Sequence, residues 1–134
     1  MTTLNARLEI KSWDEMPTQE LGGDRKVTRA TVVLSAADDA MAVDGTWEAT
    51  MFYPDKDNST YTGIMHLSGR IGDRSGSFAL TGDGRFADGT ASGVMRVVPG
   101  SGTGDLAGIR GTARSVSTHA DYPYMPFDLD YEVG

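Results

Sequence analysis

Runs of alternating apolar and polar residues recur along this chain. In the first run, Leu4 to Trp13, every second residue from Leu4 to Ile10 is apolar and the residues between them are charged or carry an amide. Successive side chains of a strand point to opposite faces, so this period of two predicts a half-buried β-strand. No stretch carries a convincing apolar stripe at helical spacing, and seventeen glycines further disfavour helix.

Eight such runs predict eight strands. Their bounds are Leu4 to Trp13, Val27 to Ala36, Thr46 to Tyr53, Tyr61 to Ile71, Ser75 to Thr81, Gly89 to Val98, Ala107 to Ser117 and Phe127 to Val133. The short loop Gly72-Asp73-Arg74 predicts a hairpin between the fourth and fifth strands, because its glycine tolerates a positive φ. Asp83-Gly84 and Asp88-Gly89 are expected to interrupt the strands. Asp14 to Leu21 is the one place for a short helical turn.

Eight short strands joined mostly by turns predict an all-β fold, a single closed antiparallel barrel over residues 1–134 with little helix. Closure would remove the exposed edges that invite aggregation. A barrel of eight strands is just wide enough to be filled by side chains or to hold one small ligand. The strand pattern therefore leaves open whether the interior is a packed core or a binding pocket.

Composition and charge exclude several classes of function. The chain has no cysteine, which excludes disulfides, thiolate metal sites and cysteine nucleophiles. Its net charge is −7, and its basic residues are scattered, so neither nucleic acid nor an anionic membrane is an expected partner. Met1 to Lys11 lacks the basic region and apolar run of a signal peptide, and we expect a cytoplasmic protein.

Glu48 is the candidate acid or base. It lies in the third strand run among Trp47, Met51 and Tyr53. If it faced the interior, its apolar surroundings would raise its pKa and make it usable in proton transfer. The alternative is that Glu48 and Thr50 form the solvent-facing side of the strand, since carboxylates are rarely buried unpaired.

The two histidines, His66 and His119, could transfer a proton near neutral pH if the fold placed them at a cavity mouth. Without a metal-binding spacing such as H-x-H, we expect no metal site and no cofactor. His119 begins a segment that crowds Tyr122 and Tyr124 into the loop before the last strand. This segment either covers a pocket or packs on the barrel end.

Two further features have competing interpretations. Several methionines and aromatic residues, including Met65, Met95 and Phe78, could line an adaptable apolar cavity or fill an ordinary core. The run Gly102 to Ala107 fits the G-x-G-x-x-A dinucleotide fingerprint, which needs a helix after the glycines. Because Gly108-Ile109-Arg110-Gly111 follows and makes a poor helix, we predict a glycine-rich turn there instead.

One long run carries a family resemblance. Val97 to Gly111, with Lys11 to Glu15, Gly69 to Phe78 and Leu129 to Tyr131, resembles the bacterial DUF3224 family over nearly the full chain. The resemblance implies an allene-oxide-cyclase-like, calycin-like barrel with a central cavity, often in dimers. Its superfamily includes plant allene oxide cyclases and bacterial spirotetronate cyclases, which fold apolar substrates into a reactive shape.

The chain departs from the family pattern at one place. Where family members have a segment resembling Gly-Leu-Glu-Arg, this chain has Gly63-Ile64-Met65-His66, so Met65 replaces a carboxylate. Glu48 still matches a family glutamate. A site that depended on the missing acid would be lost here.

Together with the resemblance, these observations predict a small-molecule-binding barrel, an isomerase or cyclase acting on an apolar polyene- or polyketide-like substrate. The resemblance also implies a homodimer. The candidate catalytic residues are Glu48, Tyr131 and His119. The candidate ligand-binding residues are Trp47, Met51, Tyr53, Met65, His66, Phe78, Met95, Tyr122 and Tyr124. The alternatives are a non-catalytic carrier or sensor that uses the same cavity, and a structural module with a packed interior.

Overall fold

The computed structural model describes residues 1–134 as eight antiparallel strands that close into a barrel. The strands are β1 (Thr2–Glu20), β2 (Lys26–Ala36), β3 (Met41–Tyr53), β4 (Ser59–Ile71), β5 (Arg74–Ala87), β6 (Thr90–Val97), β7 (Arg110–Thr118) and β8 (Tyr124–Glu132). Each strand pairs with its neighbours in the chain, and β8 returns to pair with β1. The only helical segments are two short 3-10 turns, Gly104–Leu106 and His119–Asp121. The predicted all-β barrel is confirmed.

No helix in this structure has the length and hydrophobicity that a helical membrane crossing requires.

One half of the barrel is filled by a continuous apolar core. Leu8, Leu67, Phe78 and Leu129 lie there with no exposed surface. The segment between β6 and β7 adds two more buried side chains, those of Leu106 and Ile109. We call this the closed half; it contains the β2–β3, β4–β5 and β6–β7 connections.

The glycine-rich run between β6 and β7 has a structural role. β6 pairs with β5 only from Leu80 onward, which leaves the first part of β5 without a strand partner on that side. The run fills this place: Thr103 N–H donates to the Ser77 carbonyl at 2.9 Å, and Ala79 N–H donates to Ser101 Oγ at 3.0 Å. The run therefore completes the hydrogen bonding of β5, as a turn rather than as the start of a nucleotide-binding helix.

Two predicted interruptions are wrong. The segment Asp14 to Leu21, expected to be a helical turn, continues β1 as far as Glu20 by pairing with β2. Pro17 is tolerated there because β8 pairs with β1 only up to Glu9, so this part of β1 is an edge. β5 likewise continues through the predicted break at Asp83-Gly84. In contrast, the turns at Gly72-Asp73 and Asp88-Gly89 form as expected, and Asp88 and Gly89 both have positive φ.

Candidate functional site

The other half of the barrel encloses an apolar cavity of about 390 Å³, which lies within the usual range of small-ligand sites. Its floor is formed by residues that also belong to the closed-half core: Val32, Leu34, Met65 and Met95. The connections β3–β4 and β7–β8 lie at its mouth and contribute Lys56, Asp57 and Tyr122. We call this the open half.

Few polar groups enter the cavity. Three serines, Ser59, Ser115 and Ser117, lie in its wall, and Ser59 is almost completely buried. Its charged lining residues are Lys56, Asp57 and Asp83. The site therefore resembles a ligand pocket with a largely apolar interior and a small number of polar groups.

Aromatic side chains surround the mouth. Trp13, Tyr122 and Tyr124 line the cavity while 47%, 65% and 39% of their surfaces stay exposed. His119 packs edge-on against Phe86, with ring centroids 5.6 Å apart. Exposed aromatic groups on an opening of this kind give an apolar ligand a surface to contact before it enters.

Tyr61 forms part of the side wall. Its ring meets Trp47 edge-on at 6.1 Å, and it lies over the glycine pair Gly84 and Gly93 of β5 and β6. A Cβ added at Gly84 would lie 2.5 Å from Tyr61 Oη, so the missing side chain is what makes room for the phenol. Burial, and secondarily the charge of Asp83, raises the pKa of Tyr61, which stays protonated.

Glu15 holds the cavity wall formed by Trp13 and Tyr53. Trp13 Nε1 donates to its Oε1 at 2.9 Å, Thr28 Oγ1 donates to its Oε2 at 2.8 Å, and Tyr53 Oη donates to the same oxygen. Burial opposes ionisation, but these three hydrogen bonds and the charge of Lys26 outweigh it and hold the pKa of Glu15 below its usual range. Burial together with the Glu15 carboxylate raises the pKa of Tyr53. At neutral pH the pair is a carboxylate and a neutral phenol.

Most of the predicted ligand-binding residues meet at this cavity. Trp47, Met51, Tyr53, Met65, Met95, Tyr122 and Tyr124 all line it, as does the catalytic candidate His119. Met65, which replaces the family carboxylate, is 1% exposed and belongs to the cavity floor. That position therefore presents a thioether to a ligand and no acid.

Four predicted site residues lie elsewhere. Glu48 and His66 are exposed on the outer face, because Trp47, Ala49 and Met65, their strand neighbours, take the inward positions. The hypothesis that Glu48 faces the interior is therefore wrong. Phe78 and Tyr131 do face inward, but they pack in the closed-half core and do not reach the cavity.

Sequence reasoning missed Trp13, Glu15 and Tyr61. Glu15 was hidden because its segment was expected to be a helical turn. As an extension of β1, Trp13 and Glu15 pair with the inward-facing Val32 and Ala30, which places both on the interior side. Tyr61 shares the inward face of β4 with Met65, but Gly63 between them interrupts the apolar alternation. No group of three or more His, Asp or Glu side chains converges to hold a metal ion.

Comparisons with known proteins identify relatives of this chain. A family model described as "Protein of unknown function (DUF3224)" matches residues 4–131. The fold is similar to the crystal structure of a protein with unknown function from the DUF3224 family of Shewanella oneidensis MR-1, with a TM-score of 0.76. The two chains are 20% identical, and the alignment covers 100% of this chain and 98% of the other. None of the curated proteins matches the chain.

Proposed function

The chain belongs to the DUF3224 family, and from the geometry of its open half we propose that it binds one small apolar molecule inside the barrel. The observation that carries this proposal is the cavity of about 390 Å³, walled mostly by apolar side chains. A cavity of this kind has no function in a purely structural module, and it lowers stability through the packing contacts it forgoes.

The position of the polar groups favours binding over catalysis. An isomerase or cyclase needs an acid, a base or a charge-stabilising group beside the substrate. Of the three predicted catalytic residues only His119 reaches the cavity, and it lies exposed at the mouth. Glu15 lies behind the wall and already accepts three hydrogen bonds. The charged residues of the lining, Lys56, Asp57 and Asp83, are exposed to solvent. These contacts support a carrier or sensor that encloses its ligand without transforming it.

The experiment fills the cavity and compares two variants of one strand. Ala91 of β6 lines the cavity, whereas Val94, three residues further on, is 49% exposed on the outer face. We expect the neutral fluorescent probe N-phenylnaphthylamine to bind the wild type in a saturable one-to-one manner. Ala91→Phe should weaken this binding at least about tenfold, the loss expected when a pocket of this size is partly filled.

Val94→Phe is the matched control and should bind the probe as the wild type does. Urea unfolding of both variants verifies that each retains the barrel. The proposal would be overturned by a wild type that binds no probe, or by a folded Ala91→Phe variant that binds it with unchanged affinity.

A further inference from the structure

We propose that the cavity selects a neutral aromatic ligand that presents a hydrogen-bond donor, as an aromatic alcohol does, to the wall formed by Trp13 and Tyr53. This inference rests on the proposed binding function and names the class of ligand. It follows from which atoms of that wall still have a proton to donate and from the charges around them.

The Glu15 carboxylate accepts the hydrogen bonds that the side chains of this wall donate. The indole N–H of Trp13 and the phenol O–H of Tyr53 both point to its carboxylate. An indole has one N–H and no acceptor, and a phenol has one O–H and oxygen lone pairs. With both protons engaged, the wall keeps two aromatic rings and one oxygen that can still accept a hydrogen bond, that of Tyr53, a residue of the cavity lining.

The same hydrogen bonds fix the two rings. Trp13 is nearly half exposed, and without its bond to Glu15 the indole would be free to change rotamer. Tyr53 is held further by the Lys26 ammonium, which lies 4.9 Å from its ring centroid. Side chains that are already ordered lose little entropy when a ligand stacks against them, so this wall is preorganised for a flat ring.

Charge at the mouth disfavours an anionic ligand. Asp57 and Asp83 line the cavity and Glu15 lies just behind the wall, against two lysines, Lys56 in the lining and Lys26 beside the Tyr53 ring. The chain as a whole carries a net charge of −7. A ligand carboxylate would be repelled there, whereas a neutral hydroxyl group can donate to Tyr53 at no electrostatic cost.

Three naphthalene derivatives of similar size test the proposal by calorimetric titration at pH 7. Naphthol presents a donor, methoxynaphthalene has its donor blocked, and naphthoate carries a negative charge. A neutral hydrogen bond contributes about 1 kcal/mol, so naphthol should bind about fivefold more tightly than methoxynaphthalene. Naphthoate should bind most weakly.

Two tyrosine variants test whether Tyr53 causes the preference for naphthol over methoxynaphthalene. Tyr53→Phe keeps the ring and removes the acceptor, so it should bind naphthol and methoxynaphthalene equally. Tyr131→Phe makes the same change in the closed-half core and should keep the wild-type preference. Glu15→Gln, which replaces one acceptor oxygen by a donor, should reduce the preference and provides a second test if Tyr53→Phe fails to fold.

The outcomes separate this inference from the function on which it rests. Equal affinities for the three compounds in the wild type, or a preference that survives in Tyr53→Phe, would refute the ligand class and leave the binding function standing. Absence of binding by all three compounds would overturn both.

Discussion

Truncation of two methionines on one strand distinguishes a packed half from a hollow half. Met41 and Met51 both point inward from β3 and are 0% and 7% exposed, but Met41 lies in the closed-half core and Met51 borders the cavity. Replacing a buried methionine by alanine removes roughly three CH₂-sized groups, a transfer cost of about 2 kcal/mol. At Met41 the new void adds a cavity cost, for a total of about 3 to 4 kcal/mol.

At Met51 the expected cost is smaller. The side chain already borders open space, so its removal enlarges an existing cavity, and part of the transfer cost is absent because these atoms are incompletely packed. We expect Met51→Ala to lower the free energy of unfolding by roughly 1 to 1.5 kcal/mol. The difference between the two variants should therefore be about 2 kcal/mol.

Urea unfolding followed by far-ultraviolet circular dichroism measures both values, with Met16→Ala as the control. Met16 is 63% exposed on β1, and its truncation should change stability by less than about 0.5 kcal/mol. The slopes of unfolding free energy against urea should agree among the variants, which verifies that the same surface is exposed on unfolding. Equal losses at Met41 and Met51 would show that the open half is packed as tightly as the closed half.

The remaining predictions concern Glu15 and the glycine beneath Tyr61. Burial raises and three hydrogen bonds lower the pKa of Glu15, with a net decrease, so its contribution to stability is present at neutral pH and is lost as the pH falls below about 4.3, the usual glutamate value. Between pH 7 and pH 3 the wild type should therefore lose more unfolding free energy than Glu15→Gln, and equal losses would contradict this assignment. Gly84→Ala should destabilise the barrel by about 1 to 3 kcal/mol in the same urea assay, because its Cβ would clash with the Ser92 carbonyl oxygen and lie 2.5 Å from Tyr61 Oη. A Gly84→Ala variant as stable as the wild type would mean that Tyr61 does not lie over this pair.

Strand periodicity predicted which way side chains face. In β3 the alternation of Trp47, Ala49 and Met51 with Glu48 and Thr50 matches the inward and exposed positions of the structure. An interior position is one of the two alternatives for Glu48, because apolar surroundings would raise its pKa and make it usable in proton transfer. The pattern itself already favoured the outer face, since a residue between two inward positions of a strand points outward.

Periodicity does not predict height along the barrel axis. Phe78 and Tyr131 have the correct parity for the interior, yet they lie in the closed half, and only the pairing register reveals it. That register is set by long-range pairing and by the connections that end each half. Neither can be read from a single strand.

Tertiary pairing also overrode two local signals. Pro17 and the glycines after Leu21 favour a turn, but the hydrogen bonds available from β2 keep this stretch extended to Glu20. Gly84 was expected to end a strand, yet its role is to accommodate the ring of Tyr61. Glu15 lies in the segment that was mispredicted, and Tyr61 lies against the other, over Gly84 of β5.

Methyl resonances of the methionines test most directly that the open half receives a ligand. The chain has seven methionines, and four of them line the cavity: Met51, Met65, Met95 and Met125. On titration with N-phenylnaphthylamine the methyl signals of these four should shift together and saturate, while the signals of Met41 in the closed-half core and of the exposed Met1 and Met16 stay in place. Shifts confined to Met1 and Met16, or no shifts at all, would contradict a ligand site inside the barrel.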